Sequence, residues 1–195
     1  MGEYTPRFNL YKPDTGEVNW GDKINRNFDI IDENLNPPGL LRVVKEVTVK
    51  EDTNIVELTD LDINTHKFYW MIINMFSGAK MYYCCINDLR DPDFYYHLHT
   101  WRYKGQASYG EADDPLLFIS DPEAPVQVSA IITRSPNGYC LIRSEFITEH
   151  AGYFWDGEHV IRTVVTVDNI TKIAIICEDY LGIKKGTKVV LLGVV

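Results

Sequence analysis

Turn-forming residues recur through most of this chain at roughly 8–12-residue intervals, with short runs of alternating character between them. That spacing restricts the fold more than any other feature. The breaks include Asn87-Asp88, Asp91-Pro92, Gly105, Gly110, Asp114-Pro115, Asp121-Pro122, Pro136-Asn137-Gly138, Asp156-Gly157, Asp168-Asn169 and Lys185-Gly186. Such residues supply the dihedrals that tight turns need. Between the breaks, strand-like runs are expected over 42–49, 54–58, 67–76, 81–86, 94–104, 116–119, 126–133, 139–149, 159–167, 170–177 and 188–194. Many short strands with regular turns predict an all-β antiparallel sandwich or barrel. No fixed-period repeat is visible, which argues against a propeller or β-helix. The run FYWMIINMF within 67–76 is too apolar for a wet face, so it reads as a central strand buried on both sides. The run 81–86, beyond Ser77-Gly78, reads as its hairpin partner.

Residues 10–35 follow a different period. Trp20, Ile24, Phe28, Ile31 and Leu35 recur at helical spacing, which puts all five on one face. Asn19 suits an N-cap, and Asp22 stands where a capping-box carboxylate would. Asn36, Pro37, Pro38 and Gly39 end the helix. So short a helix is marginal alone, so its apolar face must dock, either on the rest of this chain or on another molecule. Residues 1–9 read as an extended or mobile arm. The only sharp change of composition is at Pro37-Pro38. It divides the chain into an arm and helix over 1–39 and a sandwich over 40–195.

The net charge of −9 argues against nucleic acid and anionic lipid as partners, because phosphate binding needs clustered Lys and Arg. No apolar window is long enough for a membrane-spanning helix, and the first residues lack a secretory signal pattern, so synthesis in a cytosol is expected. Cys84, Cys85, Cys140 and Cys177 form no C-x-x-C pair and are expected as free thiols packed as small apolar groups.

The order Leu10, Lys12-Pro13, Gly16, Trp20, Ile24-Asn25, Asn27-Phe28 and Ile30-Ile31-Asp32 resembles the N-terminal segment of tail-appendage, fibre and baseplate proteins of tailed viruses. The closing stretch is similar to the end of small jelly-roll modules in virion appendages. It runs from Val167-Asp168-Asn169-Ile170 through Leu181-Gly182-Ile183 and Lys185-Gly186-Thr187 to Val189-Val190-Leu191-Leu192-Gly193. The resemblance implies a structural virion protein, made in the host cytoplasm and carried on the virion. Its sandwich would be jelly-roll-like, and its N-terminal segment would attach it to other virion proteins. It also implies a homo-oligomer, with a trimer favoured. The chain departs from long fibres in having no coiled-coil or repeat stalk. Trp20, Ile24, Asn25, Asn27, Phe28, Ile31 and Asp32 are the expected attachment residues, with amides and carboxylates on the helix's polar side available to a partner's backbone.

The densest cluster of chemically useful residues is 87–101, NDLRDPDFYYHLHTW. On a strand, Tyr95, His97, His99, Trp101 and Tyr103 share one face. Such a stripe can stack on sugar rings, so a host-surface glycan is a candidate ligand; the alternative is that the rings pack internally or at a subunit interface. His97 and His99 with Asp88, Asp91 and Asp93 are ligand types for zinc or calcium, but the pattern fits no known site, and no metal or cofactor is expected. Asp113-Asp114 and Asp121 with Glu123 are carboxylate pairs that could cleave a glycosidic bond, which keeps a glycan-degrading appendage enzyme as an alternative to an adhesin, but they stand beside prolines, which makes them turn formers first. Cys140 with His150 or His159 lacks any nucleophile context, and no G-x-S-x-G, H-E-x-x-H or P-loop occurs, so no catalytic residue is expected.

Overall fold

The computed structural model describes residues 3–4, 10–12, 25–30, 40–103, 106–120, 122, 124–150, 153–177, 179 and 181–194. The chain divides into two compact units, Met1–Leu40 and Leu41–Val195.

In the first unit, β1 (Glu3–Tyr4) pairs antiparallel with β2 (Tyr11–Lys12), so part of the expected arm is a small ribbon. Residues 25–30 form a helical turn and a half, α1. Trp20, Ile24, Ile31 and Asp32 lie outside the described residues, as do both expected ends of the helix.

The second unit is all-β. Its strands are β3 (Leu41–Thr48), β4 (Ile55–Leu58), β5 (Tyr69–Phe76), β6 (Met81–Ile86), β7 (Tyr95–Tyr103), β8 (Gln106–Ala112), β9 (Leu116–Ile119), β10 (Pro125–Arg134), β11 (Tyr139–His150), β12 (Tyr153–Thr166), β13 (Ile173–Cys177) and β14 (Lys188–Val194). They form two antiparallel sheets, ordered β3-β14-β5-β10-β11-β12-β7-β8 and β4-β13-β6-β9. The chain passes repeatedly from one sheet to the other, as in jelly-roll-like sandwiches. Alternate residues of the large sheet, among them Met71, Ile73, Val128, Ala130, Ile142 and Ile161, meet Leu58, Cys84, Leu117, Ile173 and Ile175 of the small one in a single core. Each fully buried aliphatic side chain contributes about 1.5–3 kcal/mol by leaving water.

Two expectations about β5 are corrected. Only its odd-numbered side is buried: Tyr69, Met71, Ile73 and Met75 face the core, while Trp70 and Ile72 are half-covered and Asn74 and Phe76 exposed. Nor does β6 pair with it, because β5 lies between β14 and β10 while β6 belongs to the other sheet. The crossing between sheets is held by Tyr82. Its hydroxyl accepts from the amides of Gly78 (2.9 Å) and Ala79 (3.0 Å) and donates to Gly182 O (2.7 Å). A hairpin would have satisfied those groups by strand pairing; here a buried phenol does so together with a backbone bond from Gly78 N–H to Gly182 O (2.6 Å).

Asp156-Gly157 is likewise not a turn. β12 runs straight through it, pairing Gly157 with Phe146 on β11 and Trp101 on β7. The glycine is there for space: a Cβ would stand 2.5 Å from Phe146 Cε1. β8, which carries no alternating apolar pattern, is a further strand at the edge of the large sheet. All four cysteines are free and buried, as expected.

Candidate functional site

The expected aromatic stripe of β7 points inward. Tyr95 is 1% exposed and is fixed by its hydroxyl, which donates to Leu89 O (2.7 Å) and accepts from Ile86 N (3.0 Å). His97 is fully buried. His99 and Trp101 are half-buried and stacked on one another, ring centroids 4.3 Å apart. A Cβ on Gly110 of β8 would stand 2.7 Å from His99 Nε2, so that glycine too provides space rather than a turn. Tyr103 lies at the end of β7, and its side chain is outside the described set. Tyr95 and His97 therefore cannot meet a sugar. The physical reason is that the even-numbered residues of β7 include Thr100 and Arg102, which take the solvent side.

The inward histidines instead form a polar cluster under β9. His97 Nε2 stands 2.9 Å from His159 Nδ1, which is also 3.0 Å from Leu116 O, and Asp114 Oδ1 stands 3.0 Å from His97 Nδ1. One proton position serves both contacts of His159: its Nδ1–H donates to His97 Nε2 and Leu116 O, while the Asp114 carboxylate lies beside His97 Nδ1. Burial first, and then the neighbouring His97, push the His159 pKa down to about 3. Burial and His97 also lower that of His99. For Asp114, burial raises the pKa, but His97 and the Leu116 amide outweigh it, so the carboxyl stays below its ordinary value. The Asp-rich loop is structural. Asp91 caps the 3₁₀ turn Pro92–Phe94 by accepting from Asp93 N, and Asp88 pairs with Lys172 at 2.7 Å. Among the described residues no group of three or more His, Cys, Asp or Glu has the arrangement of a metal site.

The opposite, solvent side of the large sheet carries an open groove of about 1000 Å³. Two adjacent cross-strand rows build it. One row runs Ile72, Ser129, Glu145, Glu158, Thr100 across β5, β10, β11, β12 and β7; the next runs Asn74, Gln127, Ile147, Asp156, Arg102. Five strands set about 4.8 Å apart make the floor roughly 19 Å across. Trp70 stands at one end, its indole N–H donating to Ser129 Oγ at 2.8 Å, which fixes the ring. Each lining carboxylate has a guanidinium close by. Arg102 Nη2 is 2.6 Å from Asp156, and Arg143 lies 2.7 Å from Glu158 and 3.6 Å from Glu145. The sequence signal for this surface is the set of polar residues alternating with core residues on the longest strands.

In the first unit, Asn27 and Tyr11 form a two-point clasp. Tyr11 N–H donates to Asn27 Oδ1 (2.6 Å), and Asn27 Nδ2 donates to Tyr11 O (2.7 Å). Asn27 is thus buried and engaged by its own chain, not displayed on a free polar side as expected. Asn25 is exposed, and Phe28 is 63% exposed.

Comparison with protein-family models, with curated proteins and with solved structures returns no match.

Proposed function

We propose that this chain is a structural virion protein, attached to the particle by its N-terminal unit and presenting its sandwich in host attachment. The observation that carries the reading is the contrast within α1. Asn27 is satisfied internally by Tyr11, while its neighbour Phe28 keeps a large apolar ring in water at 63% exposure. A short helix gains little by exposing such a ring unless a partner covers it. The similarity of Trp20, Ile24-Asn25, Asn27-Phe28 and Ile30-Ile31-Asp32 to the attachment segments of tail-appendage proteins names that partner: another virion protein, engaged by a homo-oligomer of this chain.

The test is incorporation. Phe28→Ser and Trp20→Ala chains, supplied in place of the wild type during particle assembly, should be absent from purified virions. Their β-sheet circular dichroism and melting temperature should match the wild type. Normal incorporation of both variants refutes the attachment role.

A further inference from the structure

We infer that the groove on the solvent side of the large sheet is a binding site for an uncharged oligosaccharide chain. The inference rests on the attachment reading above for the source of that saccharide, the host surface, and on the groove's own chemistry for its class.

The charge balance of the groove comes first. Glu145, Glu158 and Asp156 line it, with Arg102 beside Asp156 and Arg143 bridging the two glutamates. An anionic polymer meets a surface whose cations are already engaged, in a chain of net charge −9. A basic peptide gains little, because each carboxylate has a guanidinium nearby and exposed ion pairs of this kind are worth little to exchange.

The remaining groups suit hydroxyls. Asn74, Gln127, Thr100 and Ser129 both donate and accept hydrogen bonds, as a sugar hydroxyl does, and all lie within the two rows. Ile72 in the first row and Trp70 at its end offer apolar faces beside them. A pyranose has an apolar C–H face and a polar rim, so it matches alternating polar and apolar strips better than a peptide side chain does. The Trp70–Ser129 hydrogen bond holds the indole before any ligand arrives, which reduces the ordering cost of stacking on it. The groove crosses five strands, so it fits a chain of several sugar units better than a single one. Of the stripe Tyr95, His97, His99 and Trp101, Trp101 alone is among the residues that line it.

The full-length protein is tested by affinity electrophoresis and tryptophan fluorescence against neutral malto-, cello- and galacto-oligosaccharides and neutral host-cell polysaccharide, with heparin and a poly-lysine peptide as charged probes. At least one neutral saccharide should retard the protein and change its fluorescence, and neither charged probe should. Trp70→Ala should weaken that binding roughly tenfold, as removal of a stacked ring does. Asn74→Ala and Gln127→Ala, at exposed positions that leave the fold untouched, should each weaken it several-fold. The proposal is overturned if no neutral saccharide binds, if heparin or poly-lysine binds instead, or if the Asn74 and Gln127 variants bind like wild type. It is also overturned if Trp70→Ala turns an oligomer into a monomer by light scattering without any saccharide bound, which would make the groove a subunit interface. Virions carrying Gln127→Ala separate this proposal from the attachment reading. Normal incorporation with poor adsorption supports the groove, normal incorporation with normal adsorption sinks the groove alone, and failed incorporation places Gln127 in assembly and also sinks it.

Discussion

His97 Nε2 stands 2.9 Å from His159 Nδ1 in a part of the sandwich where neither ring has exposed surface. Two imidazoles so close and so dry cannot both be charged. The folded state therefore holds His159 neutral, with its pKa pushed down to about 3. The unfolded chain titrates near the ordinary value of about 6.5. Below that pH the unfolded state binds more protons, so stability is full above about 6.5 and is lost progressively as pH falls toward 3. Melting curves at pH 7.5, 6 and 5 should show a falling Tm. His159→Gln should flatten the slope, although Gln is expected to cost some stability at neutral pH. An unchanged slope in the variant would assign the acid sensitivity elsewhere.

Removing one oxygen from the core should be costly at Tyr82. Tyr82→Phe keeps the ring stacked on Phe118, at 4.4 Å between centroids, but leaves the Ala79 amide without its acceptor and takes a second partner from Gly78 N–H and Gly182 O, which keep their own bond of 2.6 Å. Each buried group left unpaired costs about 1–3 kcal/mol, partly relieved by relaxation. A loss of about 1–3 kcal/mol in urea unfolding is expected, with the m-value unchanged. A loss below the error of the titration would mean that water enters to replace the phenol.

Gly157→Ala tests whether the glycine in β12 serves for space. The new methyl would stand 2.5 Å from Phe146 Cε1 and 2.8 Å from Thr100 O. The ring can move, but the carbonyl belongs to the sheet. Overpacking of this kind costs about 1–3 kcal/mol. Phe146→Leu in the same chain should recover only part of the loss, since it relieves only the side-chain clash. Wild-type stability in Gly157→Ala alone contradicts the close-approach account.

Asn27→Ala removes both hydrogen bonds of the clasp, and Asn27→Asp keeps the bond from Tyr11 N–H but sets a carboxylate oxygen, an acceptor, against Tyr11 O. Amide exchange at Tyr11 reads this directly. It should be accelerated roughly tenfold or more in Asn27→Ala, the equivalent of about 1–2 kcal/mol of lost protection. Exchange at the wild-type rate in both variants would show that the clasp does not protect that amide.

The fold class was legible because alternation and turn residues are local signals, and the large sheet's long strands keep both. The failures are equally local in origin. Asp156-Gly157 and Gly110 look like turns, yet each glycine makes room for a ring on a neighbouring strand, Phe146 and His99, which sequence distance conceals. β8 escaped because an exposed edge strand has no apolar face to alternate. On β7, periodicity correctly grouped Tyr95, His97, His99 and Trp101, but grouping does not say which side is wet. Trp70 was lost within an apolar run, and the groove it borders draws on five strands. No local pattern brings Asn74 beside Gln127 or Asp156 beside Arg102; only the register does.

The position of β5 between β14 and β10 also has a consequence for biosynthesis. On a ribosome, residues 69–76 emerge with one hydrogen-bonding edge that stays unfilled until residues 188–194 have been made. The strand is apolar along much of its length, so the nascent chain carries a sticky open seam through most of translation. Closure is a late, long-range event, which places this domain among slow folders whose yield depends on how long that seam is shielded. Truncation before Lys188 would remove the seal itself, leaving the same open edge permanently available to another copy of the chain.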